Sequence, residues 1–177
     1  ILKIESLFKE FPVEKGFFKE SNETVKAVQN ISLNVRKNEV LGLVGESGSG
    51  KSTLGKSIIK LLEPSKGNIL FNGIKINSIE NENKLLRWRR KISYVPQSIA
   101  LNDGSILENI AVGIPSNQID LEKAKNCAKA ALIYKHIMSL EDGIFTNIGE
   151  RGIKLSGGQI QRIAIARALY NESEVLI

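Results

Sequence analysis

Nine consecutive residues, Gly45-Glu46-Ser47-Gly48-Ser49-Gly50-Lys51-Ser52-Thr53, carry the plainest chemistry in this sequence. They fill every fixed position of the pattern G-x-x-x-x-G-K-[ST]. A triphosphate is a dense anion, and each residue type here answers to it. Glycines at 45, 48 and 50 let the backbone turn tightly and bring amide N–H groups to phosphate oxygens. The start of a following helix adds partial positive charge, and Lys51 adds a full one for the β and γ phosphates. Ser52 can place its hydroxyl on Mg²⁺, and Thr53 can contact the α-phosphate. The flanks agree. Val40-Leu41-Gly42-Leu43-Val44 is a short apolar run of buried-strand type, and Leu54 to Leu62 repeats leucine and isoleucine at helical spacing. Strand, glycine loop and helix in that order imply a site for a nucleoside triphosphate.

A second run, Leu155-Ser156-Gly157-Gly158-Gln159, also opens a helix. Its two glycines permit close backbone approach, and Ser156 can cap the helix or donate to a phosphate oxygen. One chain can hardly use both loops on the same γ-phosphate, because each builds its own helix-capped anion site. A head-to-tail pair of chains resolves this, with each nucleotide held between two protomers. Gln97 follows a strand-like run, Ile92-Ser93-Tyr94-Val95, where its amide oxygen can reach Mg²⁺ or an attacking water.

The elements that must position these groups can be read from periodicity. Leu2 to Leu7 alternates like an opening strand, Phe11 to Thr24 reads as a polar excursion, and Ile31 to Val35 alternates as a strand with one buried face. Ile69-Leu70-Phe71 and Ile74-Lys75-Ile76 flank Asn72-Gly73, the signal of a tight hairpin. Residues 79–90 read as a short charged helix. Beyond Ser105 the pattern is mostly helical, with apolar sets Ile106, Leu107, Ile110 and Leu121, Ala124, Ala128, Ala131, Leu132. Gln159 to Tyr170 is apolar on most sides and should be well buried. The order gives a β part and phosphate-loop core over residues 1–102, a helical subdomain over 103–168, and a return to the core over 169–177.

Bulk properties narrow the class. The chain has 177 residues, 42% of them hydrophobic and 25% charged, which suits one globular core. No apolar run approaches the roughly 18 residues of a membrane span. The single cysteine, Cys127, fits packing and a reducing compartment. The net charge is +6, densest at Arg87, Arg89, Arg90 and Lys91. That cluster reads as a solvated helix face. Aromatics make up 6% without a stacking pattern, so no nucleic acid is expected as a partner.

Together these motifs resemble the nucleotide-binding domain of ATP-binding-cassette (ABC) transporters over essentially the whole chain. Gly45 to Thr53 is similar to the Walker A motif, Val95-Pro96-Gln97 to the strand leading into the Q-loop, and Leu155 to Gln159 to the signature motif. Residues 1 to about 80 resemble oligopeptide and dipeptide importer ATPases, notably Phe11-Pro12-Val13-Glu14-Lys15-Gly16-Phe17-Phe18. Residues from about 86 onward resemble ABC exporters, notably Asp103 to Ile110 and Ile148-Gly149-Glu150-Arg151-Gly152. The resemblance implies an α/β fold: a P-loop NTPase core, an N-terminal antiparallel β part and a helical signature-motif subdomain. It also implies ATP with Mg²⁺, a second nucleotide-binding domain, and a transmembrane domain touching the regions of Gln97 and Glu150-Arg151. The place would be the cytoplasmic face of a membrane. The family's adenine-stacking aromatic would fall on Phe11, with Phe17 and Phe18 as alternatives.

The family's Walker B strand ends in aspartate and glutamate, and Glu174-Val175-Leu176-Ile177 looks like its opening. The fold is therefore expected to be incomplete, the parent protein to hydrolyse ATP, and this segment to be poorly stable and inactive by itself. Exporter-type function is favoured, with a peptide-importer subunit or an inactive nucleotide-binding module as alternatives. His136 lies upstream of the signature and reads as a surface residue rather than a catalytic switch.

Overall fold

Strand β1 (Leu2–Pro12) organises the first of two units in this computed structural model, which describes residues 1–13, 24–149 and 154–177. The units are Ile1–Leu86 and Arg87–Ile177. β1 pairs antiparallel with β2 (Thr24–Val35) and with β3 (Lys66–Phe71), and β4 (Ile74–Lys75) extends the sheet to the order β2-β1-β3-β4. Alternation puts Leu2 and Ile4 on one face. An irregularity with Ser6 at φ 43° then shifts the phase by one residue, so that Leu7 returns to the buried side.

The strands run further than the hydrophobic alternation suggests. Phe11 and Pro12 belong to β1, and Thr24 to β2, rather than to an irregular excursion. Cross-strand pairing explains this: Glu10 faces Lys26, Phe11 faces Val25, and Pro12 stands at the strand's last position, where its missing N–H costs least. The β3–β4 hairpin turns through Asn72 and Gly73 at φ 48° and 79°, the pair of positive values that a two-residue hairpin loop needs. Beyond it the Asn77 side chain accepts from the Ile69 N–H and donates to the Gly67 carbonyl, so an amide continues the ladder past β4.

Helix α1 (Lys51–Ile58) buries Leu54 and Ile58. It stops short of Leu62. Lys60 takes φ 56°, its N–H donates to the Ser57 carbonyl, and the Leu61 N–H donates to the Lys56 carbonyl. This is the closure that usually recruits glycine at a helix C-terminus. The run Val40–Val44 is a second departure. It carries no strand assignment, and Val40 and Val44 are 98% and 96% exposed. Strand structure exists only in pairs, and no described strand hydrogen-bonds to this run.

A short helix, α2 (Glu82–Arg89), leads into the second unit. There β5 (Ile92–Ser93) pairs in parallel with β8 (Val175–Leu176), and β6 (Gly104–Ser105) pairs antiparallel with β7 (Asn147–Ile148). Helices α3 (Ile106–Ile110), α4 (Leu121–Ala130), α5 (Tyr134–Met138) and α6 (Gly157–Tyr170) enclose one core, with Ile106, Ile110, Ile133, Ile137, Ile148 and Ile163 all but fully buried. Ser105 and Glu108 cap α3 reciprocally. The Ser105 backbone N–H, then the Ser105 and Ser116 hydroxyls, hold the Glu108 carboxyl below its ordinary 4.5. A depressed carboxyl stabilises the fold above its ordinary pKa and loses that contribution as pH falls. The expected apolar sets pack here, with Leu132 the exception.

Leu132 is 77% exposed. It follows α4 at φ 57°, its N–H donating to the Lys129 carbonyl, while the Ile133 N–H donates to the Ala128 carbonyl. The same helix closure therefore turns Leu132 outward and Ile133 inward. Leu132→Gly should hold or slightly raise stability, because glycine relieves the left-handed backbone. Ile133→Ala should cost about 2–5 kcal/mol. Urea denaturation of the two variants tests this, and equal losses would contradict it.

Candidate functional site

The glycine-rich loop and α1 are built around one close approach. Gly50 is the N-cap of α1 at φ 89°, and a Cβ there would lie 2.0 Å from the Ala27 carbonyl oxygen of β2. Only glycine meets both the conformation and the space. The Ser49 N–H donates to the Glu46 carbonyl at 3.2 Å, closing the loop, and the Leu54 N–H makes the first helical bond to Gly50 at 2.8 Å. No side chain caps α1, and no acidic residue stands in its first turn. The backbone donors that open a helix are thus uncapped here, with a favourable field for an anion.

Lys51 reaches back over this opening. Its ammonium donates to the Gly45 carbonyl at 2.7 Å, the Glu46 carbonyl at 2.6 Å and the Ser49 hydroxyl at 3.1 Å. All three acceptors are neutral, so the cation retains its pull on an anion entering the loop. Ser47, Gly48 and Ser52 are exposed, and Thr53 is half-buried. A triphosphate suits this donor set: uncapped amides, a cation without a carboxylate partner among the described contacts, and a hydroxyl in reach of solvent for Mg²⁺. Phe11 is half-buried in β1, with the Lys9 ammonium 4.9 Å from its ring centroid. A cation on one face of that ring is itself favourable. Phe17 and Phe18 lie outside the described residues, as do Glu150 and Arg151.

In the second unit, Ser156 caps α6. Its hydroxyl accepts from the Gln159 N–H at 3.3 Å, and the Gln159 side chain accepts from the Ser156 N–H at 2.7 Å. Capping uses a lone pair of the hydroxyl and leaves its proton free to point outward. Ser156, Gly157 and Gly158 are exposed, and Leu155 is half-buried. A Cβ at Gly157 or Gly158 would meet nothing within 4 Å, and neither residue has a positive φ. Nothing among the described residues of the unit therefore calls for glycine at these two positions. Well buried though α6 is from Ile163 onward, its first turn faces outward.

Gln97 is exposed in the loop that follows β5. Two residues that sequence patterns passed over hold the far side of this loop. Asn109 is fully buried on an otherwise aliphatic face of α3, and its side chain bonds the backbone of Asn102. Arg167 of α6 donates to the Asn109 carbonyl at 2.8 Å, and burial lowers its pKa. The one available signal was an asparagine between Ile106, Leu107 and Ile110, where helical packing favours an aliphatic residue. Cys127 is half-buried with its thiol pKa raised by burial, as suits packing. His136 is half-buried rather than a surface residue, and its Nε2 is buried without a partner among the described residues.

A β-sheet unit carrying a phosphate loop, followed by a helical unit whose helix α6 opens on Ser-Gly-Gly, defines a class of nucleotide-binding P-loop proteins. The sequence profile of the ABC transporter family matches residues 28–177, and the chain belongs to that family. It is 38% identical over 165 residues to an ATP-dependent lipid A-core flippase of Cupriavidus pinatubonensis, covering 93% of this chain and 27% of that protein. It is 39% identical over 166 residues to the multidrug resistance-like ATP-binding protein MdlA of Buchnera aphidicola, covering 93% and 28%. A solved bacterial Atm1-family ABC exporter with ATP bound superposes with a TM-score of 0.79 at 30% identity, over 99% of this chain and 28% of that one. The fold is that of an ABC ATPase, and the chain spans little more than a quarter of the length of these relatives. No helix among the described residues is long and apolar enough to cross a membrane.

The glycines separate two kinds of demand. Gly50→Ala should destabilise the first unit by about 1–3 kcal/mol through backbone strain and the clash with β2. Gly158→Ala should raise stability by about 0.5–1 kcal/mol, since a helix gains from alanine where space is open. Chemical denaturation of both variants is the check. A destabilising Gly158→Ala would mean that the first turn of α6 is packed after all.

Proposed function

We propose that this chain is the ATP-binding domain of an exporter-type membrane transporter, and that the full protein hydrolyses ATP to drive transport. The observation that carries the reading is the Lys51 ammonium, held on neutral loop acceptors across the uncapped start of α1. In this reading the amides of residues 46–53 and Lys51 hold the phosphates. Ser52 and Gln97 face Mg²⁺, which when bound neutralises phosphate charge, and Phe11 stacks on adenine. The proton of Ser156 and the open amides beside Gly157 and Gly158, with Leu155 and Gln159 shaping the turn, serve the nucleotide of a second domain arranged head to tail. Glycine at 157 and 158, for which the described residues give no internal reason, supports an external occupant.

The partner would be a second nucleotide-binding domain. A transmembrane domain, fused or separate, would touch the neighbourhoods of Gln97 and Glu150-Arg151. The domain would lie at the cytoplasmic face of the membrane, as residues 1–102, 103–168 and 169–177 serving core, helical subdomain and return strand. The exporter type is preferred over a peptide-importer subunit because the flippase is similar over 93% of this chain and the Atm1-family exporter over 99%.

Lys51→Ala in the full-length protein should weaken ATP binding by about ten- to 150-fold, the loss expected on removing a charged hydrogen-bonding group. Unchanged affinity in a fluorescent-nucleotide titration would sink the phosphate-loop assignment. Ser156→Arg should leave ATP binding intact and abolish ATP-dependent association of the domains. Association that persists, followed by light scattering or crosslinking, would overturn the head-to-tail arrangement.

A further inference from the structure

The loop that carries Gln97 is fastened at both ends to one turn of α6. Upstream, the Ser93 hydroxyl donates to the Ala168 carbonyl at 3.2 Å in buried surroundings. Downstream, the buried Asn109 exchanges two bonds with the backbone of Asn102: Oδ1 accepts from its N–H and Nδ2 donates to its carbonyl, each at 2.9 Å. Nδ2 also donates to the Ser105 carbonyl at 3.1 Å. Arg167, the neighbour of Ala168, then locks this group to α6. Its Nε donates to the Asn109 carbonyl at 2.8 Å, its Nη2 to Asn109 Oδ1 at 3.3 Å, and its Nη1 to the Ala100 carbonyl at 3.5 Å.

Between the two fixings, Pro96 and Ile99 of the loop and Ala164 and Ala168 of α6 line a shared cleft. The ends of the Gln97 loop are thus tied to the helix whose first turn carries Ser156. The half-buried Arg167 guanidinium, bonded to neutral acceptors among the described residues, and the fully buried Asn109 on an aliphatic helix face are costly to desolvate. What they gain in return is the pairing of backbone groups at the downstream end of the loop.

We propose that Arg167, acting through Asn109, is a positioning residue that sets where Gln97 stands relative to the signature helix. This rests on the reading of Gln97 as the group that meets Mg²⁺ or the attacking water. The substitution Arg167→Met keeps much of the side chain's packing and removes its donors.

The test is a double-mutant cycle on ATP turnover by the full-length protein, with wild type, Arg167→Met, Gln97→Ala and the double variant. Arg167→Met should lower kcat by about ten- to a hundredfold, the scale of a misplaced catalytic group. KM for ATP should stay within about twofold, since ground-state binding is untouched. In the Gln97→Ala background the same change should add no further loss. Equal fold-losses in the two backgrounds, or a loss matched by the unfolded fraction in a thermal melt, would overturn the proposal. If Arg167→Met does not fold, Arg167→Lys is read in the same cycle, because lysine keeps the charge but not the three-point fork. Lys51→Ala is the control. A wild-type protein without turnover, or one indifferent to Lys51→Ala, would overturn the ATPase reading itself, an outcome distinct from additive losses.

Discussion

The start of a helix is short of hydrogen-bond partners, and this chain's candidate chemistry depends on how two such starts are finished. At α1 the N-cap is Gly50, pressed so close to the Ala27 carbonyl that no side chain fits. The cap therefore cannot be supplied from within, and the orphan amides stay available to an anion. At α6 the cap is supplied by Ser156 and Gln159. The bond to the Ser156 hydroxyl takes only a lone pair, and the glycines beside it leave the turn uncovered. One helix offers its own backbone, while the other offers a prearranged hydroxyl. The rest of each unit serves to hold these ends. In the first, the four-stranded sheet positions β2 against Gly50. In the second, the aliphatic core grips α6 from Ile163 onward and leaves its first turn outside.

Local chemistry was legible in the sequence, and long-range chemistry was not. The phosphate loop, the Asn72-Gly73 hairpin and the Ser156 cap each depend on residues within nine consecutive positions, so the residue types alone state them. The run Val40–Val44 reads as a buried strand because it is apolar, yet a strand needs a partner, and pairing is decided by residues far away in the chain. Leu132 fits the helical period of α4 but falls at the left-handed closure, where Ile133 takes the inward place. That choice depends on two backbone bonds that no periodicity reveals. The strands reach Pro12 and start at Thr24 because of cross-strand pairs such as Glu10 with Lys26, which alternation within one strand cannot display. Asn109 was missed for a related reason: its partners are backbone atoms of Asn102 and Ser105, and backbone carries no sequence label.

The same contrast bears on the family resemblance. The motifs that identify an ABC transporter domain are all local: a loop, a strand end, a helix cap. What joins them in the second unit is a polar knot of Asn109 and Arg167 inside an aliphatic cluster, with Ser93 completing the grip on α6. Polar groups so placed, with their partners satisfied, rigidify the unit and specify one arrangement. They tie the loop of Gln97 to the signature helix without touching either motif.

Hydrogen–deuterium exchange of the full-length protein, with and without ATP and Mg²⁺, tests the central claim most directly. The account predicts that ATP slows exchange at the amides of residues 46–53, and that residues 156–159 gain protection only under conditions where the domains associate. Unchanged exchange across residues 46–53 at saturating ATP would contradict it.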